Sequence, residues 1–156
     1  MADKRIQDLG VKLIVAGEFY DNKEEYIAQI NSLNILDYVI LRTDFILEDQ
    51  VKDYFCASDM ITQTYRTATQ SGVSQVAYHF EKPMVVTNVG GLAEFVPEGK
   101  TGYVCEPEPK SIAKSIKTYF DNPNKEAMQA EIKEFKKQFS WSSLVASIQQ
   151  LMFNDK

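Results

Sequence analysis

Five short apolar runs restrict this chain more than any other feature. Each is stopped by a polar or small residue, and each is separated from the next by a stretch with helical spacing. They are KLIVAG at 12–17, YVIL at 38–41, MITQT at 60–64, PMVVT at 83–87 and GYVC at 102–105. Continuous rather than alternating apolar character predicts strands covered on both faces, as in parallel sheets. Between them, helical stripes are formed by Tyr26, Ile27, Ile30 and Leu33, by Leu47, Val51, Tyr54 and Phe55, by Val73, Val76, Ala77 and Phe80, and by Ile112, Ile116, Tyr119 and Phe120. The alternation predicts a Rossmann-like three-layer α/β/α domain with a mainly parallel sheet. Beyond Asn122-Pro123-Asn124, a long helix is predicted through Met128, Ile132, Phe135 and Phe139. A last one follows Ser140, with Leu144, Ile148, Leu151 and Met152 on one face.

At 156 residues the chain suits one domain and can bury roughly 68–70% of its unfolded surface. Its net charge of -5 excludes nucleic acid as the expected partner, since phosphate backbones require a basic surface. The two cysteines, Cys56 and Cys105, form no CxxC pair, and the single histidine, His79, disfavours His-rich metal sites and Ser-His or Cys-His hydrolase schemes. No metal-binding or catalytic residue is assigned. With no secretory signal and no apolar run long enough to span a bilayer, the sequence suggests a cytoplasmic chain.

One segment asks for an explanation: Gly90-Gly91 directly follows the end of the fourth apolar run. Ligands of open parallel sheets lie beyond the carboxyl ends of the strands, where Thr43-Asp44-Phe45, Thr64 through Gly72 and this glycine pair all fall. The pair either lets backbone N–H groups approach a phosphate or makes a tight turn of positive φ. Other motifs are excluded. Gly99-Lys100-Thr101 is not a P-loop, because position 94 is glutamate and a strand follows. Thr69-Gln70-Ser71-Gly72 lacks the first glycine of a nucleophile elbow. His79, beside Phe80, reads as a half-buried packing residue, and residues 133–137 as a solvated helix face.

Taken in order, KLIVAGEF, the stretch from DYVILRTDF through the Ala57-Ser58-Asp59 step, SGVSQVAYHFEKPMVVTNVGGLAEFVPEGKTGYVCEP and FSWSSLVASI resemble the C-terminal half of group 1 retaining glycosyltransferases of the GT-B fold. The resemblance covers nearly the whole chain and is most specific from Pro83 to Pro107. It implies a two-domain enzyme in which this half binds a nucleotide-diphosphate sugar donor, with no cofactor and no DxD-bound metal. The partner half holds the acceptor, a glycan or lipid-linked acceptor of bacterial surface polysaccharide synthesis, and the full-length enzyme associates peripherally with the membrane. The donor's base and ribose are expected at Asp44, Phe45, Ile46, Gln75 and Val76. Its phosphates and sugar are expected at Arg66, Ala68, Thr69, Gln70, Ser71, Gly72, Gly90 and Gly91.

The chain departs from the family pattern. Two glutamates eight positions apart are replaced by Ala68 and Val76, and a base-loop glycine by Asp44. Either the donor is held by Thr69, Gln70, Ser71 and backbone N–H groups, or the domain is a non-catalytic nucleotide-sugar binding module. A sugar-nucleotide epimerase of the same architecture is a third reading. The opening, MADKRIQDLG, reads as the end of the family's first helix. Residues 1–156 are therefore expected to be a single domain cut from a larger enzyme, lacking its first strand and helix start, and inactive alone.

Overall fold

The computed structural model describes residues 1–20 and 22–153. Helices α1 (Lys4–Gln7), α2 (Lys23–Ser32), α3 (Glu48–Ala57), α4 (Gly72–His79), α5 (Pro109–Asp121), α6 (Lys125–Phe135) and α7 (Trp141–Phe153) are interleaved with strands β1 (Leu13–Ala16), β2 (Val39–Arg42), β3 (Ile61–Gln63), β4 (Met84–Thr87) and β5 (Gly102–Cys105). Every apolar run named above overlaps a strand, and every strand pairing among the described residues is parallel. The fold is a Rossmann-like α/β domain.

The sheet is not continuous. β1 and β2 form one pair, and β3, β4 and β5 form a separate three-stranded piece with β4 in the middle. The two pieces are packed very differently. All four residues of β4 are buried, whereas Ile14 and Val15 of β1 are exposed. Neither α2 nor α3 contributes a buried residue. The core collects instead around β4, where Ala77, Tyr78, Met84, Val86, Leu92, Val96, Tyr119, Met128 and Ile132 pack together.

Local chemistry sets the element ends. Asn22 accepts from the Glu24 N–H and starts α2, and Ser71 accepts from the Val73 N–H and starts α4. Pro109 opens α5 at a position where no intrahelical donor is needed. Lys82 donates to the Ser58 carbonyl just past α3, at 2.8 Å, where a cation complements the helix terminus. The long helix expected over 128–139 breaks at Phe135 into a 3₁₀ turn, Lys136–Phe139, which brings Phe139 onto Tyr78 at 5.3 Å between ring centroids. His79 is exposed rather than half-buried, with its ring against the edge of Phe80. Val73 of the expected apolar stripe is also exposed, while Ser74 and Tyr78 take the buried face of α4.

Tyr78 joins three parts of the core. Its hydroxyl donates to the Phe95 carbonyl and accepts from the Thr101 hydroxyl at 3.0 Å. Burial pushes its pKa up to about 12, partly opposed by the Thr101 hydrogen bond. A raised pKa in the folded state stabilises the fold at neutral pH. That contribution begins to fade once pH exceeds the unfolded value of about 10 and is gone above the folded value. Ultraviolet titration should show a late phase of tyrosine ionisation, and Tyr78→Phe should shrink it. The substitution should also cost about 1–3 kcal/mol in urea unfolding, because it leaves the Phe95 carbonyl and Thr101 hydroxyl without their partner.

Candidate donor site

Loops 17–22, 43–47, 64–71, 88–92 and 106–108 leave the carboxyl ends of the five parallel strands; residue 21 lies outside the described residues. Two of them are in direct contact. The Gly91 N–H donates to the Thr69 carbonyl at 2.7 Å. Gly90 has φ +52°, and a Cβ placed on it would lie 1.7 Å from the Ala68 carbonyl oxygen. The backbone of the glycine pair thus presses against the loop before α4, and no side chain fits between them. The Gly91 N–H is spent on Thr69, so the pair shapes the neighbouring loop rather than supplying that amide to an anion.

A second tie fixes the same loop from below. Thr87, at the end of β4 and fully buried, donates its hydroxyl to the Tyr65 carbonyl at 2.6 Å. The buried Gln63 amide donates to the Ser74 hydroxyl at 3.0 Å, linking β3 to α4. Residues 64–71 are therefore held at both ends and in the middle. Arg66, Thr69, Gln70 and Gly72 remain exposed, with Ala68 and Ser71 half-buried. The start of α4 adds the partial positive charge of a helix N-terminus.

The expected base and ribose residues divide between two places. Asp44, Phe45 and Ile46 follow β2, on the two-stranded piece, and Phe45 is two-thirds exposed. Gln75 is exposed and Val76 half-buried on α4, on the other side of the break in the sheet. Lys23, at the start of α2, donates to the Thr43 hydroxyl at 2.9 Å and anchors the loop that carries Asp44 and Phe45. Lys23 and Thr87 were not among the sequence candidates. A threonine at the carboxyl end of a buried strand is the signal that could have found the latter. Tyr20 and Tyr65 are two further exposed aromatic residues on these loops. Among the described residues no cluster of His, Cys, Asp and Glu has the makings of a metal site.

A parallel α/β domain with its loops gathered at the strand ends has the fold of one half of a GT-B enzyme. The chain belongs to the family described as Glycosyl transferases group 1, whose sequence profile matches residues 1–122. It is 26% identical over 146 residues to an uncharacterized glycosyltransferase of Methanocaldococcus jannaschii, a match covering 92% of this chain and 40% of the relative. Among solved structures it is similar to Anabaena HepE in complex with UDP, with a TM-score of 0.78, 22% identity and coverage of 96% of this chain and 44% of that one. It is also similar to sucrose-phosphate synthase from Thermosynechococcus elongatus, with a TM-score of 0.74, 16% identity and coverage of 97% and 42%. The chain thus spans less than half the length of each of these relatives.

Proposed function

We propose that this chain is the C-terminal, donor-binding domain of a retaining glycosyltransferase. The whole enzyme would transfer a hexosyl group from a nucleotide-diphosphate sugar to a glycan or lipid-linked acceptor in the assembly of a bacterial surface polysaccharide. It would work in the cytoplasm or at its membrane face, with the acceptor held by a second domain. The observation that carries the donor role is the junction of the 64–71 and 88–92 loops through the Gly91 N–H and the Thr69 carbonyl. It lies at the carboxyl ends of parallel strands, where such sheets take their ligands. The similarity to HepE, whose structure holds UDP, supports the same ligand class.

In this reading the domain contributes no acid or base. It binds the donor and stabilises charge on the departing diphosphate. Arg66 and the amino end of α4 face that charge, and groups fixed in advance need not reorganise as it develops. Phe45 offers an exposed ring to the nucleobase. A second reading, a non-catalytic nucleotide-sugar binding module, draws on Ala68 and Val76 standing where the family carries glutamates.

Titration with UDP, GDP and ADP, followed by their sugar conjugates, distinguishes these readings when backbone amide shifts are followed by NMR. Saturable shifts at residues 44–46 and 68–72 from one nucleotide are expected, and would name the base. A larger response to one sugar conjugate than to its nucleotide would name the sugar. Release of that sugar by the full-length protein would favour the transferase, and binding without release the module. No response to any nucleotide, even at millimolar concentration, would refute the donor role.

A further inference from the structure

Loops 17–22 and 43–47 leave neighbouring strands. β1 and β2 pair in parallel with Ala16 opposite Arg42, and the Gly17 N–H extends that ladder to the Arg42 carbonyl at 2.9 Å. One side chain crosses from the first loop's helix to the second loop. Lys23, the first residue of α2, donates to the Thr43 hydroxyl at 2.9 Å, and both residues are half-buried. The partner of the ammonium there is a neutral hydroxyl. An ammonium carries three N–H donors and no acceptor, and Thr43 takes one of the three. The contact therefore fixes a positive charge in place and leaves it with donors for a ligand. Two residues beyond Thr43, the ring of Phe45 is open to solvent. A held cation and a free aromatic ring thus stand at one corner of the domain, at the carboxyl ends of β1 and β2.

The two features ask different things of a ligand. An exposed ring suits a flat partner that stacks on it, and stacking is tolerant of which base is present. A fixed ammonium is not tolerant, since it suits an acceptor and opposes a donor. Nucleobases divide on this point. Uracil and guanine present a carbonyl oxygen where cytosine and adenine present an amino group. An amino group set against Lys23 would bring two donors together and leave both unpaired, which is how a hydrogen-bonding site rejects a near-isostere. The diphosphate has cationic groups of its own, Arg66 and the start of α4, on the three-stranded piece across the break in the sheet. Lys23 therefore meets the other end of a nucleotide laid across the strand ends.

We propose that Lys23 is a specificity-determining residue of the donor site, selecting a base with an exocyclic carbonyl, as in uracil or guanine, over one with an amino group in its place. The proposal rests on the reading of this chain as a donor-binding domain. Phe45 stacks on the base whatever its identity. Lys23 gives one N–H to the Thr43 hydroxyl and another to the base carbonyl. Thr43 is the positioning partner: it holds the ammonium before the ligand arrives, so less side-chain freedom is lost on binding.

Two pairs of nucleotides isolate the exchange of carbonyl for amino group at constant ring size: UDP against CDP, and IDP against ADP. Each is titrated into the intact chain, with dissociation constants taken from the amide shifts of residues 43–46. In the pair whose ring size the site accepts, the carbonyl member should bind at least about tenfold more tightly, the usual effect of a hydrogen bond to a charged group. Lys23→Met should reduce that preference to about twofold or less, mostly by weakening the carbonyl member. Lys23→Gln, whose amide donates and accepts alike, should lose the preference as well, and Lys23→Arg should keep most of it. A ratio between two ligands is not moved by a loop that merely loosens, since loosening weakens both alike. Equal weakening of both members by Lys23→Met would therefore overturn the proposal, making Lys23 a phosphate contact or a structural tie. So would an undiminished preference in the Met and Gln variants, or tighter binding of CDP and ADP by the unaltered chain. In each of these cases nucleotide binding persists and the donor reading stands. Absence of binding by all four at millimolar concentration would refute the donor reading and this proposal with it.

Discussion

Gly102→Ala is expected to destabilise the domain severely. Gly102 lies opposite Met84 in the β4–β5 ladder, and a Cβ there would sit 1.9 Å from the Met84 carbonyl oxygen and 2.8 Å from its carbonyl carbon and nitrogen. All three are backbone atoms of the strand at the centre of the core, so no side-chain rotation relieves the overlap. The strands must separate, which breaks the ladder and the packing of Met84 and Val86 together. A loss of at least about 4 kcal/mol is expected, against a total stability of roughly 5–15 kcal/mol for a domain of this kind. Circular dichroism during urea unfolding measures it. Gly99→Ala is the control: Gly99 has φ +74° but nothing within 4 Å of an added Cβ. It should cost only the left-handed backbone strain, about 1–2 kcal/mol. Equal losses in the two variants would refute the steric account.

Gly90→Ala is expected to act on the site more than on the fold. Its Cβ would lie 1.7 Å from the Ala68 carbonyl oxygen and 3.1 Å from that of Thr69, at a residue with φ +52°. The loop before α4 must move away, and the hydrogen bond from the Gly91 N–H to the Thr69 carbonyl is the first to break. Strain and displacement together should cost about 2–4 kcal/mol, while β4 and β5 remain paired. Any nucleotide response at 68–72 should then fall at least tenfold, with the shifts at 44–46 weakened but present. Gly91→Ala, whose Cβ would meet the Thr69 oxygen at 2.9 Å without a left-handed φ, should be milder on both counts. Retention of the full nucleotide response by the Gly90 variant would show that the loop junction does not organise the site.

Much of the fold was legible in the order of residues. Each apolar run from KLIVAG to GYVC overlaps its strand, and the stripes between them are helices, because a strand with both faces covered has no polar positions to alternate with. The stripe at 141–152 was legible as a helix too. That its apolar side is left uncovered, with Trp141 82% exposed and Leu151 75% exposed, depends on what else is packed nearby. The helix break at Phe135 was not legible, since Lys136 and Lys137 are good helix formers. It follows from drawing Phe135 and Phe139 both onto Tyr78. The site was legible only as a set of loops. Residues 43–46, 68–72 and 88–91 could be assigned to strand ends by position alone, but nothing in their spacing says that Gly91 donates to Thr69 or that Thr87 reaches Tyr65.

The sequence by itself determined the element types and the parallel architecture, because these rest on periodicity and on residues adjacent in the chain. Only the tertiary structure decided what the glycine pair does and where the sheet is interrupted. Both depend on distances between backbones far apart in sequence: a missing Cβ at Gly90 that admits the Ala68 carbonyl, and a pair of strand edges, on β1 and β3, with no strand of the described residues between them.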